Sequence, residues 1–366
     1  MADQPKGRFV LLALAGLVLL AALWGGVARL GWDLPVPNEE LPSLHGPLMV
    51  VGFLGTLIGL ERAVALARIW PYGAPLFAGL GALSALAGLP ISVGASLAVT
   101  GSFLLTLVFI SLYRQSPGAH FVVMGLGSVA WLVGNCLWLA GSPLYLAVVW
   151  WTGFLVLMIA GERLQLSRVM QRSRRVLLIF HLSTAMALAG LIVALFEFQA
   201  GVRVAGIAWL MLGLWLLRYD IAWRTLQEAN LPRYMAICLL SGYVWLCVGG
   251  LLWLVFNRFS SAGLSYDAML HSIFLGFVFS MIFAHAPVIF PSITGVALPF
   301  RQLFYAHLVL LHLSLLLRVG GDVALWIPAR RWGGLLNILA VMVFVINNMS
   351  AAKMATALSV KGREGN

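Results

Sequence analysis

Two of the chain's seven histidines sit in related settings. His45 opens the run His45-Gly46-Pro47-Leu48-Met49 that leads to Gly52-Phe53, and His271 opens His271-Ser272-Ile273-Phe274-Leu275, leading to Gly276-Phe277. Two neutral imidazoles on separate helices can hold one iron from both sides, which is the axial ligation of a low-spin haem. Small residues beside each ligand would let a flat macrocycle approach the backbone. A histidine at a helix end can equally cap the helix and bind water, and both readings stay open at this point.

His285 follows His271 by 14 residues, about 21 Å of helical rise and close to the same face. One helix could therefore serve a second metal site at the opposite depth. His307, near the start of its own apolar run, is the expected partner by depth, with His120 and His181 at comparable ends and His312 about a turn and a half deeper. The candidate metal set is thus His45, His271, His285 and His307, against the simpler reading that histidines near an interface bond to backbone or headgroups.

Ionisable residues inside apolar segments are functional candidates. Glu61-Arg62 and Glu162-Arg163 are adjacent pairs. Neighbours on a helix point about 100° apart, so partners on other helices are expected. Asp220 has Arg224 four residues on, the spacing of a local ion pair. Pro287 and Pro291 are expected to end or kink the helix that carries His285. Asn135, Asn347 and Asn348 are polar enough to bond between helices. Cys136, Cys238 and Cys247 form no CxxC and read as packing residues. No phosphate loop, nucleophile elbow or HExxH motif is present.

The elements that must position these groups follow from composition. With 62% hydrophobic and 10% charged residues, no soluble fold could hide the apolar surface. At about 20 residues per span, helices are expected near 9–31, 45–67, 74–94, 96–113, 119–139, 143–165, 175–196, 202–225, 233–256, 265–290, 302–318 and 333–353. That is an all-α membrane protein of about twelve transmembrane helices in one polytopic domain spanning residues 1–366.

The net charge of +11 comes mainly from arginines at the ends of apolar runs, so nucleic acid is excluded as the partner the basic balance serves. Lys6, Arg8, Arg62, Arg68, Arg114, Arg163, Arg168, Arg172, Arg174, Arg175, Arg218, Arg224, Arg233, Arg301, Lys353, Lys361 and Arg363 fall on one side of the expected topology. The positive-inside rule makes that side cytoplasmic and places both termini there. Arg318, Arg330 and Arg331 are the exception. On this topology His45 and His271 lie at similar depth in the outer half. The Glu-Arg pairs are 101 residues, or four helices, apart, and His285-Ala286-Pro287 occupies the matching position four helices further on. This hints at three four-helix units about a pseudo-threefold axis.

A histidine opening the second helix as His45-Gly46-x-Leu48-Met49 and a second opening the tenth at His271, together with twelve helices and a threefold echo, resemble the catalytic-subunit fold of the haem-copper oxidase superfamily. Within it the chain is similar to the NnrS family, through the second-helix opening, the stretch from His271 to His285 and the segment Leu317-Arg318-Val319. The resemblance implies a bacterial inner-membrane protein that binds haem b and copper, linked to nitric-oxide or redox stress and served by a quinol or other electron donor. His45 and His271 match the low-spin haem ligands. Ile273 stands where an oxidase has the histidine of its reactive haem. Ser43 replaces the first histidine of the His-x-His pair usual in the NnrS family, so copper loses a ligand the resemblance would supply.

Three functions remain open on sequence: a haem protein ligated by His45 and His271, a cofactor-free transporter or lipid-pathway protein with Glu61, Glu162 and Asp220 along a polar path, and a complete nitric-oxide or oxygen reductase, which Ile273 opposes.

Overall fold

The computed structural model describes residues 5–36, 39–256 and 263–364. Its helices are α1 Pro5–Arg29, α2 Leu41–Leu66, α3 Gly73–Leu86, α4 Ile91–Gln115, α5 Ala119–Leu139, α6 Leu144–Leu166, α7 Arg174–Val193, α8 Phe198–Tyr219, α9 Asn230–Phe256, α10 Leu264–Thr294, α11 Phe304–Val323 and α12 Ile327–Glu364, with one-turn pieces between some of them. There is no strand among the described residues. Eleven of these helices are long and apolar enough to cross a bilayer. The protein is an all-α, multi-pass membrane protein. α3 falls short at 14 residues, about 21 Å. The expected helix over 74–94 breaks early because Gly88 turns the chain at φ +73° and Pro90 precedes α4. The side chains of Lys6, Lys361 and Arg363 lie outside the described residues.

The chain divides into two compact units. The first comprises residues 1–168 and 184–205, the second residues 169–183 and 206–366. In the first unit Trp131 stacks on Phe154 at 4.9 Å between ring centroids, and the Trp151 indole donates to Asn135 Oδ1 at 2.9 Å while the Asn135 amide donates to the Ala98 carbonyl at 3.1 Å. Asn135 thus bonds α5 to α4 and α6, the interhelical role expected of it. In the second unit Trp209, Trp253, Tyr234, Tyr243, Phe277 and Phe279 are fully buried.

Lipid gives apolar helices no hydrophobic reason to associate, so close packing must hold them, and small residues allow it. Gly81 and Gly94 bring α3 and α4 together, a Cβ on either lying 2.8 Å from the other's carbonyl oxygen. Gly206 and Gly250 do the same for α8 and α9 at 2.8 and 2.7 Å. Leucines such as Leu313 and Leu316, about 60% exposed, face outward as lipid-contacting side chains do.

α2 and α10 share an irregularity. In α2 the backbone widens into a π-helix over Leu48–Leu54, and in α10 over Ser272–Phe279. Both runs begin within three residues of a candidate histidine. In α2 the cause is at hand: Pro47 lacks the N–H that the regular ladder needs. In α10 the run is bracketed by Ser272 and Ser280, whose hydroxyls donate to the carbonyls of Ala268 at 2.8 Å and Gly276 at 2.6 Å. π-Helical turns concentrate at functional sites.

α10 also departs from expectation at its other end. It runs through Pro287 and Pro291 rather than ending there, since proline's fixed φ is helical and costs the ladder only the missing N–H bond and a local kink. Gly295, at φ +73°, terminates it.

Candidate functional site

His45 belongs to the first unit and is seated by α1. Its Nδ1 lies 2.7 Å from the Ala22 carbonyl oxygen. A Cβ on Gly26 would stand 3.0 Å from its Cε1 and Nδ1, and a Cβ on Gly25 would stand 2.6 Å from the Leu41 carbonyl oxygen. The Gly25-Gly26 pair therefore lets the start of α2 and the imidazole lie directly on α1. A carbonyl can only accept, so Nδ1 carries the proton and the lone pair is on Nε2. Beside the ring, a Cβ at Gly46 would meet nothing within 4 Å.

His271 belongs to the second unit, one turn after Asp267 in α10. Its Nδ1 lies 2.9 Å from the Asp267 carbonyl oxygen and 3.4 Å from Asp267 Oδ1. The tautomer is again the one with its lone pair on Nε2. A ring N–H bound to a carbonyl or carboxylate is the arrangement that orients a metal-ligating histidine and raises its basicity. The donor set of both rings fits an axial haem ligand.

The glycines thought to give a macrocycle access do something else. Gly52 is covered by Val18 and Ala82, each 2.6 Å from its Cβ position, and Gly276 by the Trp245 indole. Their role is helix packing, and the open glycine is Gly46. Ile273 is fully buried against Gly249 of α9. Position 273 is a core contact.

Behind His271 lies a buried ionic network that sequence reasoning missed. Asp267 accepts from Arg318 twice, Nε to Oδ2 at 2.7 Å and Nη2 to Oδ1 at 2.8 Å. Arg330 Nη2 stands 3.5 Å from Asp267 Oδ1, and Arg330 Nε stands 3.2 Å from Asp322 Oδ1. Glycines make this possible: a Cβ on Gly321 would be 2.6 Å from the Arg330 nitrogen, and one on Gly333 2.5 Å from the Arg318 nitrogen. α11 and α12 consequently meet backbone to backbone where the charges gather. The network accounts for two of the three arginines that broke the charge bias, because Arg318 and Arg330 answer buried carboxylates. The available signal was the spacing of Asp267 and His271, and of Arg318 and Asp322, each i,i+4.

In the first unit, Arg62 Nη2 reaches Glu162 Oε2 at 3.3 Å, the expected partner on another helix. It also reaches Glu61 Oε1 at 2.9 Å. That corrects the expectation that sequence neighbours do not pair: the long arginine stem spans the 100° between them. Asp220 Oδ1 accepts the Ala222 backbone N–H at 2.8 Å, a local bond in the turn after α8.

His307 is fully buried in an aromatic cage, 4.7 Å from the Phe283 ring and 5.3 Å from Phe344 between centroids. Its Nδ1 accepts from Asn347 Nδ2 at 3.1 Å, and its Nε2 lies 2.9 Å from Tyr234 Oη. The Asn347 amide also donates to the Leu303 carbonyl at 3.2 Å, which fixes its orientation and makes Nε2 the protonated nitrogen. Both ring nitrogens are thus committed to protein partners, and His285 is not one of them. His285 Nδ1 lies 2.7 Å from the Met281 carbonyl of its own helix. His312 Nδ1 accepts from the Trp245 indole at 3.0 Å, and His181 Nδ1 lies 2.7 Å from the Leu177 carbonyl. No group of three or more His, Cys, Asp or Glu among the described residues is placed to hold a metal ion by itself.

The chain belongs to the family described as domain of unknown function DUF8744. The match covers residues 8–353 and so takes in both units. No curated protein matches the chain.

Proposed function

We propose that this membrane protein binds a b-type haem with His45 and His271 as its axial ligands, and serves a nitric-oxide or redox response in a bacterial inner membrane. The observation that carries the reading is common to both histidines. Each ring has Nδ1–H tied to a backbone carbonyl, so the lone pair sits on Nε2, and each is followed by a π-helical run. A haem held by two imidazoles supplies one-electron transfer. The chain's own contribution is to fix the two rings: Ala22 and Gly26 seat His45, and Asp267, held by Arg318, orients His271.

The NnrS-like resemblance, the pseudo-threefold arrangement and cytoplasmic termini belong to the same reading, with a quinol or other electron donor as the redox partner. Copper has less support, since Ser43 lies in the first turns of α2 with its hydroxyl on the Glu40 carbonyl at 2.7 Å. The test is the visible spectrum of the full chain purified from haem-replete cells. Sharp reduced α and β bands support the reading, and a featureless spectrum with no extractable haem rejects it.

A second reading, a transporter or lipid-pathway protein without cofactor, is favoured by one observation: both units hold buried and half-buried charges together within apolar helices, Arg62 with Glu61 and Glu162, and Arg318 and Arg330 with Asp267 and Asp322. Intramembrane charges mark conduction paths in many proteins. Asp220 is engaged with the backbone of its own turn, which leaves Glu61 and Glu162 to carry that path.

A further inference from the structure

We propose that the N-terminal end of α5 is a phosphate-binding site, with Arg168 and the His120 imidazole as its side-chain ligands. α5 is 21 residues long and starts from an extended Gly118, at φ −171° and ψ 143°, with no side-chain cap. The first N–H groups to find a helical acceptor are those of Phe121 and Val122, both on the Gly118 carbonyl, at 3.0 and 3.4 Å. The preceding N–H groups point out of the helix along its positive dipole end, the arrangement that receives phosphate elsewhere.

The second observation is independent of the helix end. His120 is 2% exposed, and its Nδ1 has no hydrogen-bond partner among the described residues. A buried donor or acceptor left unmatched is costly, so the position calls for a ligand. The ring folds back over Gly118. Its Cε1 and Nδ1 lie 2.5 and 2.7 Å from where a Gly118 Cβ would stand, and the Arg168 guanidinium packs against the same point, so both side chains lie over the bare glycine.

Arg168 follows α6 and is exposed, with no acidic partner among the described residues. Arg114, also exposed, ends α4 four residues before Gly118. A guanidinium, an imidazole nitrogen that donates when it carries the ring proton, and helix-end N–H groups, all gathered at one glycine, match the oxygens of a tetrahedral phosphate. A Cβ at position 118 would collide with both side chains and push them apart. Because α5 begins where its membrane-spanning segment begins, at Ala119, the site stands at the edge of the apolar layer, level with phospholipid headgroups. The phosphate can come from a headgroup or from solution.

The test uses the full chain, delipidated in detergent, with two probes. Retention of phosphatidylglycerol is read by native mass spectrometry, and binding of inorganic phosphate by phosphorus NMR line broadening. Each is measured for the wild type, Arg168→Gln and Gly118→Ala. The wild type should bind at least one probe, and both substitutions should weaken that binding about tenfold, the loss of one charge-assisted hydrogen bond. Lipid bound without inorganic phosphate assigns the headgroup, and inorganic phosphate bound as well assigns the free anion; both support the site. No binding of either probe by the wild type overturns it, as does equal binding by all three proteins. Arg168 is exposed, so Arg168→Gln keeps the fold, and helical content by circular dichroism checks Gly118→Ala.

Discussion

Arg318 grips Asp267 with two hydrogen bonds, at 2.7 and 2.8 Å, and Asp267 presents both its carbonyl and its Oδ1 to the His271 imidazole. A guanidinium, a carboxylate and an imidazole thus stand in series across α11 and α10. The line explains why a charge pair survives inside an apolar bundle: it holds a ring in one orientation.

Removing one member of this pair should be worse than removing both. Asp267→Ala leaves the buried Arg318 without its doubly hydrogen-bonded carboxylate, at a cost of about 3–5 kcal/mol, whereas replacing both by apolar residues of similar size recovers much of it. Thermal unfolding in detergent checks this. Single and double variants that melt together with the wild type would show the pair to be energetically idle.

The seat of His45 should be sensitive at α1 although α1 supplies no ligand. Gly26→Leu drives a side chain into a space where even a Cβ stands 3.0 Å from the imidazole. The expected outcome is loss of haem by pyridine haemochrome assay with His45 still present, while Gly16→Leu, at an open position of the same helix, retains it. Equal haem content in both variants would mean that the ring does not depend on that seat.

His307 should be a structural residue. His307→Ala leaves the Tyr234 hydroxyl and the Asn347 amide without their partner, about 1–3 kcal/mol for each unsatisfied group, and opens a cavity among Phe283, Phe304 and Phe344. Denaturant unfolding should show the loss, while metal content by mass spectrometry stays at the wild-type level. A lost metal equivalent with unchanged stability would make His307 a ligand after all.

The helical membrane architecture was legible because length and apolarity act locally, one span at a time. The π-helical runs were not, since a widened turn leaves no mark on apolar periodicity; only Pro47 offered a hint, and α10 has none at the matching place. Arg318, Arg330 and Arg331 stood out as a break in the charge bias, yet the carboxylates that answer Arg318 and Arg330 lie 51 residues away for Asp267 and on the preceding helix for Asp322. Glu61 and Arg62 show the opposite limit: helix geometry argued against a contact that a flexible side chain makes. The histidines were visible as candidates, but which of their nitrogens carries the proton depends on carbonyls such as that of Ala22, 23 residues distant.

Axial ligation by His45 and His271 is decided by low-temperature electron paramagnetic resonance of the oxidised protein, reconstituted with haem where needed. The wild type should give a low-spin signal of a bis-imidazole iron, and His45→Ala and His271→Ala should each convert it to high spin or lose the haem. A low-spin signal that persists unchanged in both variants, or a wild type that takes up no haem, would rule out the two histidines as axial ligands.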